Sequence, residues 1–114
     1  MRAAKYLRSL GYRIVASSYR TKEGEVDLIG WDGEILVFIE VKSRMNSDAP
    51  EAAVRAAKRR RIIRAAHAYI ARYKLHDKTY RFDIVAVNET PGKSATCRLL
   101  RDAFRLEDTA SFRL

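Results

Sequence analysis

Two apolar runs rich in β-branched residues meet at an Asp-Gly dipeptide, and this pattern constrains the fold more than any other in the chain. The runs cover residues 24–31 and 34–44, and Asp32-Gly33 lies between them. Asp-Gly readily adopts the positive φ angles of a two-residue turn. The pattern therefore predicts an antiparallel hairpin in which Trp31 pairs with Glu34.

The register of this hairpin predicts which side chains share a face. Counting back from the turn, Glu25 lies opposite Glu40, while Asp27 lies opposite Phe38 and diagonal to Glu40. Side chains alternate between the two faces of a strand, so one face is predicted to be core and the other to be charged at its open end. The core face holds Val26, Leu28, Ile35, Val37, Ile39 and Val41; the other holds Glu25, Asp27, Glu40 and Lys42, with Ile29, Trp31, Leu36 and Phe38 nearer the turn.

Three carboxylates at one end of a hairpin repel one another, and something must offset that repulsion. The end is open to water, or Lys42 and Arg44 neutralise it, or a divalent cation binds. Two carboxylates with waters and phosphate oxygens form the ligand set that Mg²⁺ favours. Lys42, on the same face as Glu40, could orient or activate a water or stabilise charge on a phosphate. The residues alone leave open the simpler interpretation, a half-exposed hairpin with a charged outer face.

Asp27 followed by Glu40-Val41-Lys42 resembles the motif of the PD-(D/E)XK nucleases. The wider sequence, residues 24–29 with 37–44, is similar to the YraN-like family of small bacterial endonuclease-like proteins, which in turn resemble archaeal Holliday junction resolvases. The similarity covers most of the chain and also includes Tyr6-Leu7, residues 11–14, Lys58, Tyr69, residues 81–87 and residues 102–104.

This resemblance implies a fold and a site. The implied fold class is α/β, with a restriction-endonuclease-like αβββαβ core, a mixed central sheet flanked by helices, and one nuclease-like domain over residues 1–114. The implied catalytic residues are Asp27, Glu40 and Lys42, with Asp27 and Glu40 holding Mg²⁺ or Mn²⁺. Glu25 is a further candidate ligand, because the predicted register places it opposite Glu40.

The chain departs from the family pattern in two places. Family members usually begin earlier, with a glycine-rich segment and a first-helix glutamate that related resolvases place at the metal site. This chain begins at Met1, and that glutamate has no counterpart; either the protein is a trimmed member with a weaker site or the sequence omits residues. The segment 45–50 is also short and lacks the usual Phe-Gly stretch.

The charge of the chain points to a polyanionic partner. Its formal net charge is +9 and its pI is near 10.1, which favours nucleic acid first and an anionic membrane second. Together with the nuclease-like motif, this predicts DNA, including branched DNA, as the partner. Basic residues interrupt every apolar run near the start of the chain, so neither a membrane span nor a signal peptide is expected. The single cysteine, Cys97, excludes an internal disulfide and favours a reducing compartment, the cytoplasm.

Residues 51–73 are predicted to form a helix whose first half is strongly basic. Its core-facing stripe consists of Ile62, Ala66, Tyr69, Ile70 and Tyr73. Six positive charges within ten residues repel one another, which favours a role in contacting DNA phosphates over a merely solvated face. These six residues, with Arg44, are the predicted nucleic-acid-binding set: Arg44, Arg55, Lys58, Arg59, Arg60, Arg61 and Arg64.

The remaining elements follow from local patterns. Residues 2–10 have helical spacing and end at Gly11, residues 12–20 alternate as a first strand, and residues 81–87 and 95–100 are late strands. Asp83 is expected to make a structural hydrogen bond or ion pair with Arg81 or another basic residue rather than to support the site. Residues 101–114 carry no element prediction.

Three functions remain open from the sequence. The favoured one is a metal-dependent endonuclease that hydrolyses DNA phosphodiesters. The alternative is a DNA- or RNA-binding module that kept the fold without catalysis, and a membrane-surface or protein-partner module is weaker. A junction-cutting enzyme would need to act as a homodimer.

Overall fold

The chain forms two helices and five strands. A computed structural model describes residues 1–44 and 56–105, with the side chain of Arg44 outside the description. In chain order the elements are α1 (Arg2–Ser9), β1 (Arg13–Arg20), β2 (Glu25–Asp32), β3 (Ile35–Arg44), α2 (Ala56–Arg72), β4 (Tyr80–Asn88) and β5 (Thr96–Phe104).

All five strands join one mixed sheet in the order β1-β2-β3-β4-β5. The first three strands form an antiparallel meander, and β5 runs antiparallel to β4. Strands β3 and β4 are parallel, and α2 lies in the connection between them. The arrangement is the predicted α/β class and is consistent with a restriction-endonuclease-like fold.

The hairpin formed by β2 and β3 exists, but its predicted register is wrong by two residues. Trp31 pairs with Leu36 and Asp32 pairs with Ile35, so the loop consists of Gly33 and Glu34. Gly33 supplies the positive φ of the loop, 62°. Asp32 remains in the strand, where its carboxylate accepts a hydrogen bond of 2.7 Å from Arg81. A shift of two preserves which residues share a face, but it changes which residues lie opposite each other.

Both faces of the sheet are core, whereas the sequence predicted a single core face. Helix α1 covers one face, and α2 covers the other, because a parallel crossover requires a covering helix on the sheet. The α1 side contains Ala3, Ala4, Leu7, Tyr12, Leu28, Val37, Ile39, Val85 and Val87. The α2 side contains Val26, Ile29, Leu36, Phe38, Ile62, Ile63, Ala65, Ala66, Tyr69, Ile70, Phe82, Ile84 and Phe104. Val26 departs from the predicted alternation.

Helix α2 packs on the sheet with the predicted stripe except at its last member. Ile62, Ala66, Tyr69 and Ile70 are buried, while Tyr73 is half exposed because α2 ends one residue before it. The start of the helix is held close to the β1–β2 turn. A Cβ atom at Gly24 would lie 1.8 Å from the carbonyl oxygen of Arg61, so only glycine permits this approach.

A buried polar network lies on the α1 face of the sheet. Asp83 is fully buried and accepts hydrogen bonds from the Tyr12 hydroxyl at 2.8 Å and from Nε of Arg81 at 2.9 Å. Burial, followed by the bond to Asp83, raises the pKa of Tyr12 to about 12. Burial opposes the charge of Arg81, but its bonds to Asp83 and Asp32 hold its pKa above the ordinary value. The structural role expected for Asp83 is confirmed.

Strand β5 continues four residues beyond its predicted end. The Asp102 amide donates a hydrogen bond of 2.9 Å to Asp83 Oδ1, and Asp102 takes a positive φ of 52° at an irregularity in the β4–β5 pairing. The irregularity returns Phe104 to the core, where its ring stacks on Phe82 with centroids 4.9 Å apart. The sequence carried no pattern for this bulge. At the other end of the chain, α1 ends near Gly11, whose φ of 95° fits the predicted left-handed cap.

Within residues 1–44 and 56–105, neither helix is long and apolar enough to cross a membrane.

The contact between Gly24 and α2 yields the first prediction. Gly24→Ala should lower the free energy of unfolding by about 3 kcal/mol, because the added methyl group overlaps helix backbone that cannot rotate away. Gly11→Ala is the matched control, because its methyl group meets no atom within 4 Å. Only the positive φ at this position opposes the substitution, so the loss of unfolding free energy should be about 1–2 kcal/mol. Urea unfolding measures both. Equal losses at the two positions would show that the close approach of α2 is not rigid.

Candidate functional site

The motif residues meet where β2 and β3 separate. The last described pair of the β2–β3 ladder is Leu28 with Ile39, and the next positions in this register are Asp27 and Glu40. Asp27 therefore takes the place that the sequence assigned to Glu25. Its carboxylate accepts a hydrogen bond of 2.8 Å from the Val41 amide. A side chain thus satisfies a backbone donor at the point where the two strands diverge.

Glu40 is the most unusual group of the site, because it is a carboxyl with only 3% of its surface exposed. Burial raises its pKa to about 7. The ammonium group of Lys58 opposes this shift, while a hydrogen bond and the charge of Asp27 add to it. Two carboxylates in contact inside a protein cannot both ionise without a compensating positive charge.

Lys58 supplies that positive charge from α2. Its Nζ lies against Oε2 of Glu40 as an ion pair, and about 44% of the lysine side chain is exposed. The Oε2 atom is buried, and this ammonium group is the cation in contact with it within the described part of the chain. The sequence predicted Lys58 as a phosphate contact remote from the carboxylates. The structure instead joins the basic run to the carboxylate pair at this residue.

The other motif residues have different surroundings. Lys42 lies two residues after Glu40 on the same strand face, is partly buried, and makes no ion pair with another residue in 1–44 or 56–105. Glu25 pairs with Arg20 at 3.1 Å across β1 and β2. The geometric reason for placing Glu25 opposite Glu40 therefore does not hold, and its role as a ligand stays a prediction.

The predicted nucleic-acid-binding residues divide into three groups. Arg59 turns towards the sheet, with its guanidinium 5.5 Å from the centre of the Phe104 ring. Arg60 is partly buried, and Arg61 and Arg64 are exposed, with Arg64 4.0 Å from the Glu23 carboxylate. Arg55 and the side chain of Arg44 lie outside the described residues.

The residues present fit a hard divalent cation, although in a minimal way. No group of three histidine, cysteine, aspartate or glutamate side chains with metal-binding geometry occurs within residues 1–44 and 56–105. Mg²⁺, however, is commonly held by one or two carboxylates and completes its shell with waters and substrate phosphates. The carboxyl groups of Glu40 and Asp27, which interact with each other, supply two oxygen ligands of this kind.

Two features of the site escaped the sequence analysis. The contact of Lys58 with Glu40 could have been expected from the sequence, because α2 had to cover the strand face that carries the motif. The bond from Val41 to Asp27 had none, because it arises from the divergence of β2 and β3.

The raised pKa of Glu40 predicts a specific pH dependence of stability in metal-free protein. A carboxyl whose pKa rises from 4.5 to about 7 on folding stabilises the fold when protonated. That contribution is complete below pH 4.5 and is lost as the pH rises through 7. The unfolding free energy of wild type relative to that of Glu40→Gln should therefore fall by about 3 kcal/mol between pH 4.5 and 8. Urea unfolding of both proteins in EDTA measures this difference. Parallel pH curves for the two proteins would contradict the assignment.

Comparison with known proteins places the chain among uncharacterised relatives. A UPF0102 protein of Symbiobacterium thermophilum is 45% identical over 104 residues, which are 90% of this chain and 88% of the relative. A UPF0102 protein of Chlorobium chlorochromatii is 42% identical over 112 residues, 92% of this chain and 86% of the relative. One from Solibacter usitatus is 49% identical over 89 residues, 75% of this chain and 67% of the relative.

These names state a family and no activity. The sequence pattern of the family described as "Uncharacterised protein family UPF0102" matches residues 1–87, which include Asp27, Glu40, Lys42 and Lys58. The chain belongs to this family, UPF0102, the YraN-like group that its sequence resembles.

Proposed function

We propose that this protein is a divalent-metal-dependent endonuclease that hydrolyses phosphodiester bonds of DNA. The observation that carries the proposal is the buried Glu40 carboxyl, which faces Asp27 where β2 and β3 diverge and meets the basic start of α2. Buried carboxylates with raised pKa values beside a specific charge partner are characteristic of functional sites. The cytoplasm, expected from the single cysteine, is the proposed compartment.

Asp27 and Glu40 are the proposed metal-holding residues. When bound, Mg²⁺ or Mn²⁺ supplies a Lewis acid for the phosphate and a more acidic water. Asp27 is held in position by the Val41 amide, and Glu40 is fixed within the central strand β3. Both carboxylates therefore lie on rigid elements, which would hold a reacting phosphate in a fixed position beside them.

Lys42 is the proposed catalytic lysine. It follows Glu40 by two residues on the same strand face, so its ammonium group projects to the side on which the carboxylates lie. There it can hold the attacking water or stabilise the negative charge that develops on the phosphate.

Positively charged side chains on α2 are the proposed DNA contacts. Arg60 and Arg61 follow Lys58 within one helical turn, and neither forms an ion pair with another described residue. Arginine forks suit phosphate oxygens, and the net charge of +9 favours association with a polyanion. The resemblance to junction resolvases makes branched DNA the substrate to test first, and a junction cutter would act as a homodimer.

One observation favours a second function, a DNA- or RNA-binding module without catalysis. Lys58 already supplies a positive charge to Glu40, so the carboxyl group has a partner without a metal. In this alternative the fold and the basic surface bind nucleic acid, and Asp27 and Glu40 are structural.

A cleavage and binding comparison separates the two functions. Lys42→Ala should lower the cleavage rate by on the order of a hundredfold or more, as the loss of an oxyanion-stabilising group does in other enzymes. It should change the DNA affinity by less than about tenfold. Arg60→Gln with Arg61→Gln should instead flatten the slope of log affinity against log salt by about 1.8, because B-DNA loses about 0.9 per phosphate contact. Cleavage time courses on linear and four-way-junction DNA in Mg²⁺ or Mn²⁺, and a salt series of gel shifts, measure both effects.

Two controls complete the comparison. Lys5→Gln with Arg8→Gln removes the same charge from exposed positions of α1, on the opposite face of the sheet, and should leave the salt slope nearly unchanged. Asp27→Asn should abolish metal-dependent cleavage. No cleavage by wild type with either metal, together with a loss of binding in Lys42→Ala equal to that of the double arginine variant, would establish the binding module and overturn the endonuclease.

A further inference from the structure

Lys58 occupies the position at which a cation would compensate Glu40. The lysine reaches across from α2 to the central strand, and its ammonium group lies against the buried Oε2 atom of Glu40. The other neighbour of this carboxyl, Asp27, is acidic and raises its pKa. Lys58 is thus the positive charge that the described part of the chain provides to the buried Glu40 and the half-buried Asp27 beside it.

We propose that Lys58 is an internal stand-in for the metal: it holds Glu40 in the metal-free protein and is released to bind a DNA phosphate when the metal enters. The inference rests on the proposed function and assigns Lys58 as a positioning residue that couples two binding events. Metal and ammonium repel each other at this distance, so one carboxylate oxygen does not hold both at once.

The two partners differ in their freedom to move. Glu40 is 3% exposed and belongs to a central strand, whereas almost half of the Lys58 side chain is exposed on the first described turn of α2. The flexible four-carbon stem of lysine lets its charge change position without movement of the helix. Released from Glu40, the ammonium group lies on the same side of the helix as Arg61, three residues further on, and adds one phosphate contact.

This exchange predicts a linkage between metal and DNA. If the metal frees Lys58 for a phosphate, DNA and metal must each raise the affinity for the other by the same factor, because binding free energies are reciprocal. In the metal-free protein, the ion pair between Lys58 and Glu40 links the basic start of α2 to the sheet.

Calorimetric titration with Mn²⁺ tests the competition between lysine and metal. Lys58→Met keeps the aliphatic stem and removes the charge, and it should bind Mn²⁺ about tenfold more tightly than wild type. Arg61→Met is the matched control, because it removes one positive charge from an exposed position of the same helix; its affinity should change by less than about twofold. Asp27→Asn should abolish Mn²⁺ binding.

Lysine acylation of the wild-type protein, read by peptide mass spectrometry, provides a readout that needs no variant. Lys58 should react several-fold faster with saturating Mn²⁺ than in EDTA, while the exposed Lys74 and Lys78 keep their rates. The metal-induced gain should disappear when DNA is added, because the freed ammonium group then binds phosphate.

The outcomes separate this inference from the proposed function. The metal site is supported if wild type binds Mn²⁺ and Asp27→Asn does not. The stand-in role is nevertheless wrong if Lys58→Met binds Mn²⁺ no more tightly than Arg61→Met and the acylation rate of Lys58 does not change with Mn²⁺. If wild type and Asp27→Asn both fail to bind Mn²⁺, the endonuclease proposal and the stand-in role fall together.

Discussion

The buried carboxyl of Glu40 is the constraint around which the candidate site is arranged. Moving a charged carboxylate out of water is unfavourable unless hydrogen bonds or opposite charges replace the lost hydration. Here Asp27 adds to the difficulty and Lys58 relieves it. In the function that we propose, a divalent cation takes over from Lys58 as the positive charge beside this acidic pair.

The rest of the fold can be understood as support for that carboxyl. Strand β3 is central, paired with β2 on one side and β4 on the other, so the backbone of Glu40 is fixed. The close approach of Gly24 to Arg61 sets the start of α2 over the same strand ends. On the other face, Asp83 ties Tyr12, Arg81 and the β5 bulge together, and this buried network holds the strands in register away from the site.

Much of this could be predicted from the sequence where the signal was local. The Asp-Gly turn and the helical stripe through Ile62 and Ile70 predicted the hairpin and the covering helix, and the motif predicted that the carboxyl groups of Asp27 and Glu40 lie together. The turn residues alone did not predict the register: Asp32 remains in the strand, where it binds Arg81, and the loop consists of Gly33 and Glu34. Every cross-strand partner is therefore displaced by two residues from the predicted pairing.

Contacts between distant segments were the part that the sequence could not supply. Lys58 was assigned to the basic run by composition, whereas the structure places its ammonium group against Glu40, eighteen positions earlier in the chain. Burial on both faces of the β2–β3 hairpin was missed for the same reason: nothing in the hairpin itself reveals that α1 and α2 cover opposite sides.

The most direct test of this account is a crystal structure of the protein grown in Mn²⁺, with anomalous diffraction data. The account predicts an anomalous peak between the carboxylates of Asp27 and Glu40, with the Lys58 ammonium group withdrawn from Glu40. Density that shows Lys58 still against Glu40 at saturating Mn²⁺, with no anomalous peak at the carboxyl pair, would contradict it.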